Sequence, residues 1–502
     1  MEFQLPDFDL RVMMPEIFLF LWALVVITFD LSTKRRSGAA VAYLAMFGLV
    51  ITGILLAVAG TGAGFGAMFF NDAASIFFKV IFLGAAFMAI GSSFGLLRQK
   101  IQHHRGEFFG LILLSTVGMM FLASSNELLS LYIGLELTTI PLFVCAAFFK
   151  DNRLSVEAGI KYLIIGAFSS ALLLYGLSLL YGLSGTTDLL QMRINIATTH
   201  LNFREIGMLP MISVIMLVAG LGFKLALPPF HQWAPDVYEG SPTPIAAFLS
   251  VGSKAAGLIA FAKIMINGLQ VFYDQVMAPS DWGILVAVIA SAAMIWGNVA
   301  AIRQANIKRM LAYSSIAQAG YIMIGMVALN ELGMAAVSFY MFTYLFANMG
   351  AFAVVAIFED TTGSTQISSY NGLAKTSPFH AASMSVFLLS LAGIPPLAGF
   401  FAKYYVFASA IKMAGAADDK SWLYWLVGVG LLTSVFALYY YANIIKTMYF
   451  TTDESPYRLS VASPGSAMVL IGLIGVLLFG LYPTPILEFA AGIPEALGVV
   501  VP

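Results

Sequence analysis

Runs of about 20 mainly apolar residues, the length that crosses a hydrocarbon core, follow one another along nearly the whole chain. The pattern predicts helices near 15–33, 39–59, 72–97, 107–125, 127–149, 154–184, 207–239, 243–267, 281–302, 306–328, 331–358, 378–412, 421–449 and 462–487. The fold class expected is an all-α polytopic membrane protein of about fourteen transmembrane helices. Runs 207–239 and 378–412 are interrupted by Pro228–Pro229 and Pro395–Pro396. Both are expected as broken helices, because proline removes a backbone donor and clashes with the preceding turn. In lipid such a break is tolerated only where protein or a water-filled cavity satisfies the freed backbone groups. Residues 227–232 are therefore expected to be non-helical and buried. The longest stretch between runs, near 185–206, has room for a turn or a short strand pair. GTGAGFG at 60–66 is expected as a flexible loop, because no strand precedes it as a dinucleotide fingerprint requires.

The two broken helices hold matching places. The first is fourth of five in 107–267 and the second is fourth of five in 281–449. An odd number of spans inverts the second unit relative to the first, the arrangement of many ion-coupled transporters. Three helices in 1–106 precede this pair, and a C-terminal helix and tail in 462–502 follow it. The repeat is imperfect, since 306–328, which matches the helix holding Glu136, has no acid.

Composition narrows the function classes. Hydrophobic residues make up 60% and charged residues 10%, so the chain belongs in a bilayer. A net charge of −1 offers nucleic acid no electrostatic footprint. The single cysteine, Cys145, rules out an intrachain disulfide and any thiolate-held zinc or iron–sulfur site made by this chain alone; it is expected as a small core residue. The first residues carry acids where a signal peptide needs a basic region, so no cleaved signal is expected. Lys34, Arg35, Arg36, Arg98, Lys100, Arg105, Lys150, Arg153, Arg303, Lys308, Arg309, Lys375, Lys446 and Arg458 gather on one side, against Arg11, Arg193, Arg204, Lys412 and Lys420 on the other. The positive-inside rule then puts both termini outside. His103 and His104 are expected to be solvated, and His200 and His380 have no ligand partners in sequence.

Four ionisable residues remain at membrane depth: Glu136, Lys224, Lys254 and Lys403. A charge near the bilayer centre costs at least about 2.5–3.5 kcal/mol, which makes such residues candidates for an ion path. Three lysines and one glutamate cannot neutralise one another in pairs, which counts against a purely structural role. Lys161, about two turns into its helix, either joins this row or snorkels to the interface. Lys79 and Lys263 lie nearer helix ends and are expected to snorkel. His231 is a candidate for ordering water at the break, with a packed ring as the alternative.

LYIGLEL, GFKLALPPFHQWAPDVYEGSPTP, NIKRMLAYSSIAQAGY and LAGIPPLAGFFAKYYVF closely resemble the antiporter-like membrane subunits of respiratory complex I. That family is related to the large subunits of multi-subunit cation/proton antiporters. The resemblance runs along nearly the whole chain. It is strongest to the branch containing subunit N of bacterial NADH–quinone oxidoreductase, subunit 2 in mitochondria. The span count fits that branch better than subunit L, and lysine at 403 counts against subunit M.

The resemblance implies that Glu136 is the glutamate of the fifth helix, paired with the lysine matched by Lys224. It likewise implies that Lys254 is the central lysine of the eighth helix and Lys403 the lysine of the twelfth. Proton translocation along this row, in the bacterial inner membrane, is what the resemblance adds. It implies no cofactor or metal bound by this chain, with NADH, FMN, iron–sulfur clusters and quinone in partner subunits, and other membrane-arm subunits as neighbours. Two readings stay beside it: a cation/proton antiporter subunit uncoupled from redox chemistry, and a scaffold with an inactive ion path.

Overall fold

The computed structural model describes residues 9–32, 38–65, 68–99, 103–198, 208–270, 282–450 and 457–499. Lys34, Arg35, Arg36, Lys100, His200 and Arg204 lie outside the described residues. The chain is a nearly all-helical polytopic bundle in which twelve of the described helices are long and apolar enough to cross a membrane.

The first half comprises α1 (Leu10–Ser32), α2 (Gly38–Ala59), α3 (Ala73–Ser92), α4 (Arg105–Ser124), α5 (Leu128–Ala146), α6 (Arg153–Ser184), the short α7 (Leu209–Leu225) and α8 (Trp233–Gly240), and α9 (Thr243–Gly268). The second comprises α10 (Trp282–Ile302), α11 (Ile307–Ala328), α12 (Glu331–Thr362), α13 (Pro378–Ala392), α14 (Ala398–Ala416), α15 (Leu423–Tyr449) and α16 (Pro464–Leu481). Short polar side chains start several helices by accepting from otherwise unpaired amides. Asp72 and Ser75 form a capping box on α3, and Asn152, Asn306 and Asn330 cap α6, α11 and α12.

Burial sorts the helices. The α9 span is buried throughout and α11 and α12 nearly so, while α1, α6 and α15 leave most of their surface uncovered by the rest of the chain. α12 packs on α11, α13, α14, α16 and α3, and α9 touches α3, α4, α7 and α12. Helix α9 is thus the seam between the two halves.

The two breaks share one backbone design. Ala226 and Gly393 are left-handed (φ 54° and 90°) and close α7 and α13. Their amides donate to the carbonyls three residues back, Phe223 at 3.0 Å and Ser390 at 2.9 Å. The next amides, of Leu227 and Ile394, donate to Gly222 at 2.8 Å and Leu389 at 3.1 Å. This double bond retires the last carbonyls of a helix before the chain turns away. A cis Pro–Pro pair follows each time, Pro228–Pro229 and Pro395–Pro396.

Residues 227–232 are non-helical as expected, but they are not all buried: Leu227 is buried, whereas Pro229 and Gln232 are exposed on this chain. The break ends its carbonyls locally, so the turn itself can reach the surface of the bundle.

Two loop expectations are corrected. Gly62–Phe65 forms β1, paired antiparallel with β2 (Phe69–Asn71), and Phe69 extends the pairing to Ser125. Cross-strand hydrogen bonds fix what glycine content alone suggested would be loose. In the 185–206 stretch, Leu189–Thr198 is helical and Asp188 bridges to Glu127, so no strand pair forms there among the described residues. Cys145 is buried and unoxidised, as expected of a core residue.

Gly399 opens α14 directly against α13, where an added Cβ would overlap the Ser390 carbonyl oxygen. Overpacking of this kind costs about 1–3 kcal/mol or more. Gly399→Ala is therefore expected to lower the yield of folded protein in membranes, while Gly53→Ala, with open space around it, leaves the yield unchanged by quantitative immunoblot.

Candidate functional site

The site is built from the inside of the first half outward. Glu136 sits midway along α5 and accepts a hydrogen bond from the Ser170 hydroxyl on α6, which also lies 3.1 Å from the Tyr132 hydroxyl. Lys224, two residues before the first break, donates to the Thr139 hydroxyl. Thr139 is one helical turn from Glu136, so both face the same way. Glu136 and Lys224 interact electrostatically without forming a direct ion pair. The expected facing of the two residues is present, with Thr139 as the group that actually touches the lysine.

Gly257 lets α9 approach this point, its missing Cβ falling 2.8 Å from Lys224 Cβ. Lys254 lies one turn earlier on α9, at the end of a π-helical segment, Leu249–Ser253. Wide turns of this type recur at functional positions. The Lys254 ammonium crosses to α11 and donates to the backbone carbonyl of Ser315 at 2.5 Å. The Ser315 hydroxyl accepts from Tyr344 on α12 at 3.0 Å.

From there the polar groups run to the second break. Ser314 pairs with the Tyr441 hydroxyl at 2.5 Å, and the Gln318 amide donates to Tyr441 at 3.3 Å and to the Leu391 carbonyl at 3.0 Å. Tyr340 donates to the Gln318 carbonyl oxygen. A cavity of about 10 Å³ lies among Gln318, Tyr340, Thr343, Tyr344 and Ser390, room for roughly one water by the usual probe measure.

Lys403 reaches back over Gly393, donates to the Ala392 carbonyl at 3.0 Å and to Ser434 at 3.4 Å, and lies 4.4 Å from the Tyr321 ring. Tyr321, Asn298, Thr433 and Tyr440 continue the hydrogen bonding toward α10 and α15.

Among the described residues no carboxylate lies within ion-pair distance of Lys224, Lys254 or Lys403. Each ammonium is held by hydroxyls and backbone carbonyls.

Lys161 stands apart from this row. It is 40% exposed and pairs with Glu157 at 2.6 Å and Asp236 at 2.5 Å. Asp236 also binds Arg309 at 2.6 Å, and Arg309 binds Glu239 at 2.8 Å. This network ties α6 and α8 of the first half to α11 of the second. His231 packs edge-on to Trp296 at 6.1 Å.

Lys79 and Lys263 do not snorkel: both are fully buried. Lys79 lies 2.6 Å from Glu16, and Lys263 donates to Asn126 and the Ser125 carbonyl at 3.0 Å each. An acid on α1 and the Ser125–Asn126 turn between α4 and α5 supply partners that position along the helix did not reveal. His380 is also buried and bonds Ser466 at 2.9 Å.

Sequence reasoning missed Thr139, Ser170, Ser315, Gln318, Tyr340 and Tyr344. Gln318, an amide inside the apolar run of LAYSSIAQAGY, carried a readable signal. The hydroxyls did not, since Ser and Thr in spans commonly bond their own helix. A cavity of about 1200 Å³ opens between α4, α5 and α6 beside His103 and Lys150, away from the lysine row.

Residues 125–437 match the family model described as NADH:quinone oxidoreductase/Mrp antiporter, TM. Together with two proline-broken helices and buried lysines beside them, the match defines an antiporter-like membrane subunit. The chain is 40% identical to NADH-quinone oxidoreductase subunit N of Moorella thermoacetica over 96% of its length and 98% of that protein's. It superimposes on a chain of respiratory complex I from Thermus thermophilus with TM-score 0.77 and 30% identity, covering 95% of this chain and all of that one. The chain belongs to the NADH-quinone oxidoreductase subunit N family. A chain of the Mrp complex from Dietzia sp. shares the fold at TM-score 0.77 and 18% identity, covering 97% of this chain and 98% of that one.

Gln318→Leu removes the donor to the Leu391 carbonyl and leaves a buried backbone group unpaired, a loss of about 1–3 kcal/mol. The variant is expected to lose its fold at a lower temperature than the parent in a detergent thermal-shift assay.

Proposed function

We propose that this chain is a proton-translocating membrane subunit of an NADH–quinone oxidoreductase, carrying protons along Glu136, Lys224, Lys254 and Lys403. Membership of the subunit N family supports the complex. The observation that carries the ion path is the way the three lysines are held. A buried ammonium bound by carbonyls and hydroxyls can lose its proton without stranding a fixed counter-charge, whereas an ammonium locked to a carboxylate leaves an unpaired anion behind. Glu136 supplies the movable influence, because a carboxylate near an ammonium favours its charged form.

In this reading the chain supplies the ion path, and electron transfer from NADH to quinone, with its flavin and iron–sulfur centres, resides in partner subunits. Other membrane-arm subunits flank it in the bacterial inner membrane. The basic loops face the cytoplasm, with both termini outside. The units 107–267 and 281–449 act as inverted repeats about α9, preceded by three helices and followed by one. The Lys161–Asp236–Arg309 network closes the cytoplasmic mouth between them. His231 belongs to the break's water-ordering surface.

Lys254 separates charge from proton exchange. Arginine keeps the charge but does not deprotonate in proteins, and methionine keeps the approximate shape without charge. Lys254→Met and Lys254→Arg are both expected to assemble in normal amount and to lose proton pumping in inverted vesicles, with quinone reduction falling alongside. Near-normal pumping by an assembled Lys254→Arg complex would eliminate proton exchange there. Glu136→Gln keeps an acceptor for Ser170 and is expected to assemble while coupled turnover drops strongly; unchanged pumping would take Glu136 out of the path.

A further inference from the structure

A second group of buried charges lies away from the lysine row, at the bundle end opposite the basic loops. Glu16 on α1 is 4% exposed and Lys79 on α3 is fully buried, and they meet at 2.6 Å. Lys79 also donates to the Asn71 side chain at 2.8 Å and lies 5.1 Å from the Phe69 ring. Both carboxylate oxygens of Glu16 are buried, and Lys79 meets one of them as an ion pair without hydrogen-bond geometry to either. Asp72, 8% exposed, caps α3 and interacts electrostatically with both Lys79 and Lys263. Lys263 is on α9, nine residues beyond Lys254.

Three features separate this cluster from a packing accident. An ion pair buried this completely is a poor source of stability, since its desolvation offsets its attraction. The two lysines of α9 outside its short helical start each adjoin a π-helical segment: Lys254 follows Leu249–Ser253, and Lys263 begins Lys263–Gly268. Finally, Lys263 binds Asn126, which is only partly buried and sits under the β1–β2 hairpin. The cluster thus joins the central helix to the surface at this end.

We infer that Lys263, Lys79 and Glu16 form a proton-release relay at the outer end of α9. The inference rests on the proton-translocation reading above. Two ammonium groups within electrostatic reach repel, so a proton arriving at Lys263 disfavours the one on Lys79. Lys79 then transfers a proton to Glu16: an N–H bond breaks, an O–H bond forms, and an ion pair becomes a neutral amine and a neutral acid with no change in total charge. Glu16 gives that proton to water on the outer side and returns to the carboxylate, and Lys79 takes the proton held at Lys263. Asp72, the cap of α3, is the second carboxylate facing both lysines.

The test uses the whole complex in sealed inverted vesicles, with the amount of this subunit measured. The double variant Glu16→Gln/Lys79→Met removes both charges together, and such a paired removal is commonly neutral or stabilising when the pair is only structural. A relay predicts normal assembly with proton pumping per complex down at least about a hundredfold, the low end of what a positioned acid–base group contributes. Normal pumping by the double variant overturns the relay. Lys263→Gln, which retains two donors for Asn126 and the Ser125 carbonyl, gives an independent answer should the double variant fail to assemble: loss of pumping supports the relay and normal pumping overturns it. Lys254→Met run in parallel separates the two levels. If it pumps normally, the proton-translocation reading falls; if only it loses pumping, the relay alone falls.

Discussion

Every feature of this molecule depends on what happens to a backbone carbonyl when a helix ends inside lipid. Water is absent there, and each unpaired group costs several kcal/mol. The chain ends helices twice at that depth, after Leu225 and after Ala392, and its own next amides retire two of the freed carbonyls at each break, Gly222 and Phe223 at the first and Leu389 and Ser390 at the second. Side chains meet three of the carbonyls at these ends: Phe223 by the Trp233 indole at 3.1 Å, Leu391 by Gln318 at 3.0 Å, and Ala392 by Lys403 at 3.0 Å. The groups that make the broken backbone tolerable include the groups that can carry a charge. Fold and chemistry share the same hydrogen bonds.

The two breaks use that shared economy in opposite order. Lys224 precedes its break and Lys403 follows its own, yet both stems pass a glycine that leaves room for them, Gly257 on α9 and Gly393 at the end of α13. Backbone approach at those two points lets long side chains lie within the packing instead of on its surface. Lys254 lies between them on the most enclosed helix and bonds a carbonyl of an unbroken helix. That lysine therefore depends on α9 and α11 keeping their distance, while the outer two depend on the breaks.

Much of this was legible in the chain itself. Apolar run lengths gave the spans, and the two Pro–Pro pairs gave the breaks, because both effects are local. Depth singled out Glu136, Lys224, Lys254 and Lys403 for the same reason. Partnerships across helices were not legible. Nothing in the spacing of Lys79 revealed Glu16, sixty-odd residues earlier on another helix, so snorkelling was the natural expectation. Lys161, about two turns into its helix, fitted either the row or the interface, and Asp236 on the far side of the break holds it away from the row. The 60–66 stretch read as loose because glycine permits many conformations; pairing with Phe69–Asn71 selects one.

Gln318 has a consequence of its own. Hydroxyl groups pass a proton by accepting one on an oxygen lone pair while donating their own O–H, so a row of Ser and Tyr conducts in either direction. A neutral carboxamide cannot: its oxygen only accepts and its nitrogen only donates. With Tyr340 donating to the oxygen, and the nitrogen donating to Leu391 and Tyr441, Gln318 interrupts the hydroxyl row between Ser315 and Lys403. It is an insulator set into a wire. On the proposed path, a proton passing from the Lys254 side to the Lys403 side has to bypass the amide through the small cavity beside it or wait for a side chain to swing. The continuity of the row thus turns on its two carboxamides, Gln318 and Asn298, and not on its length.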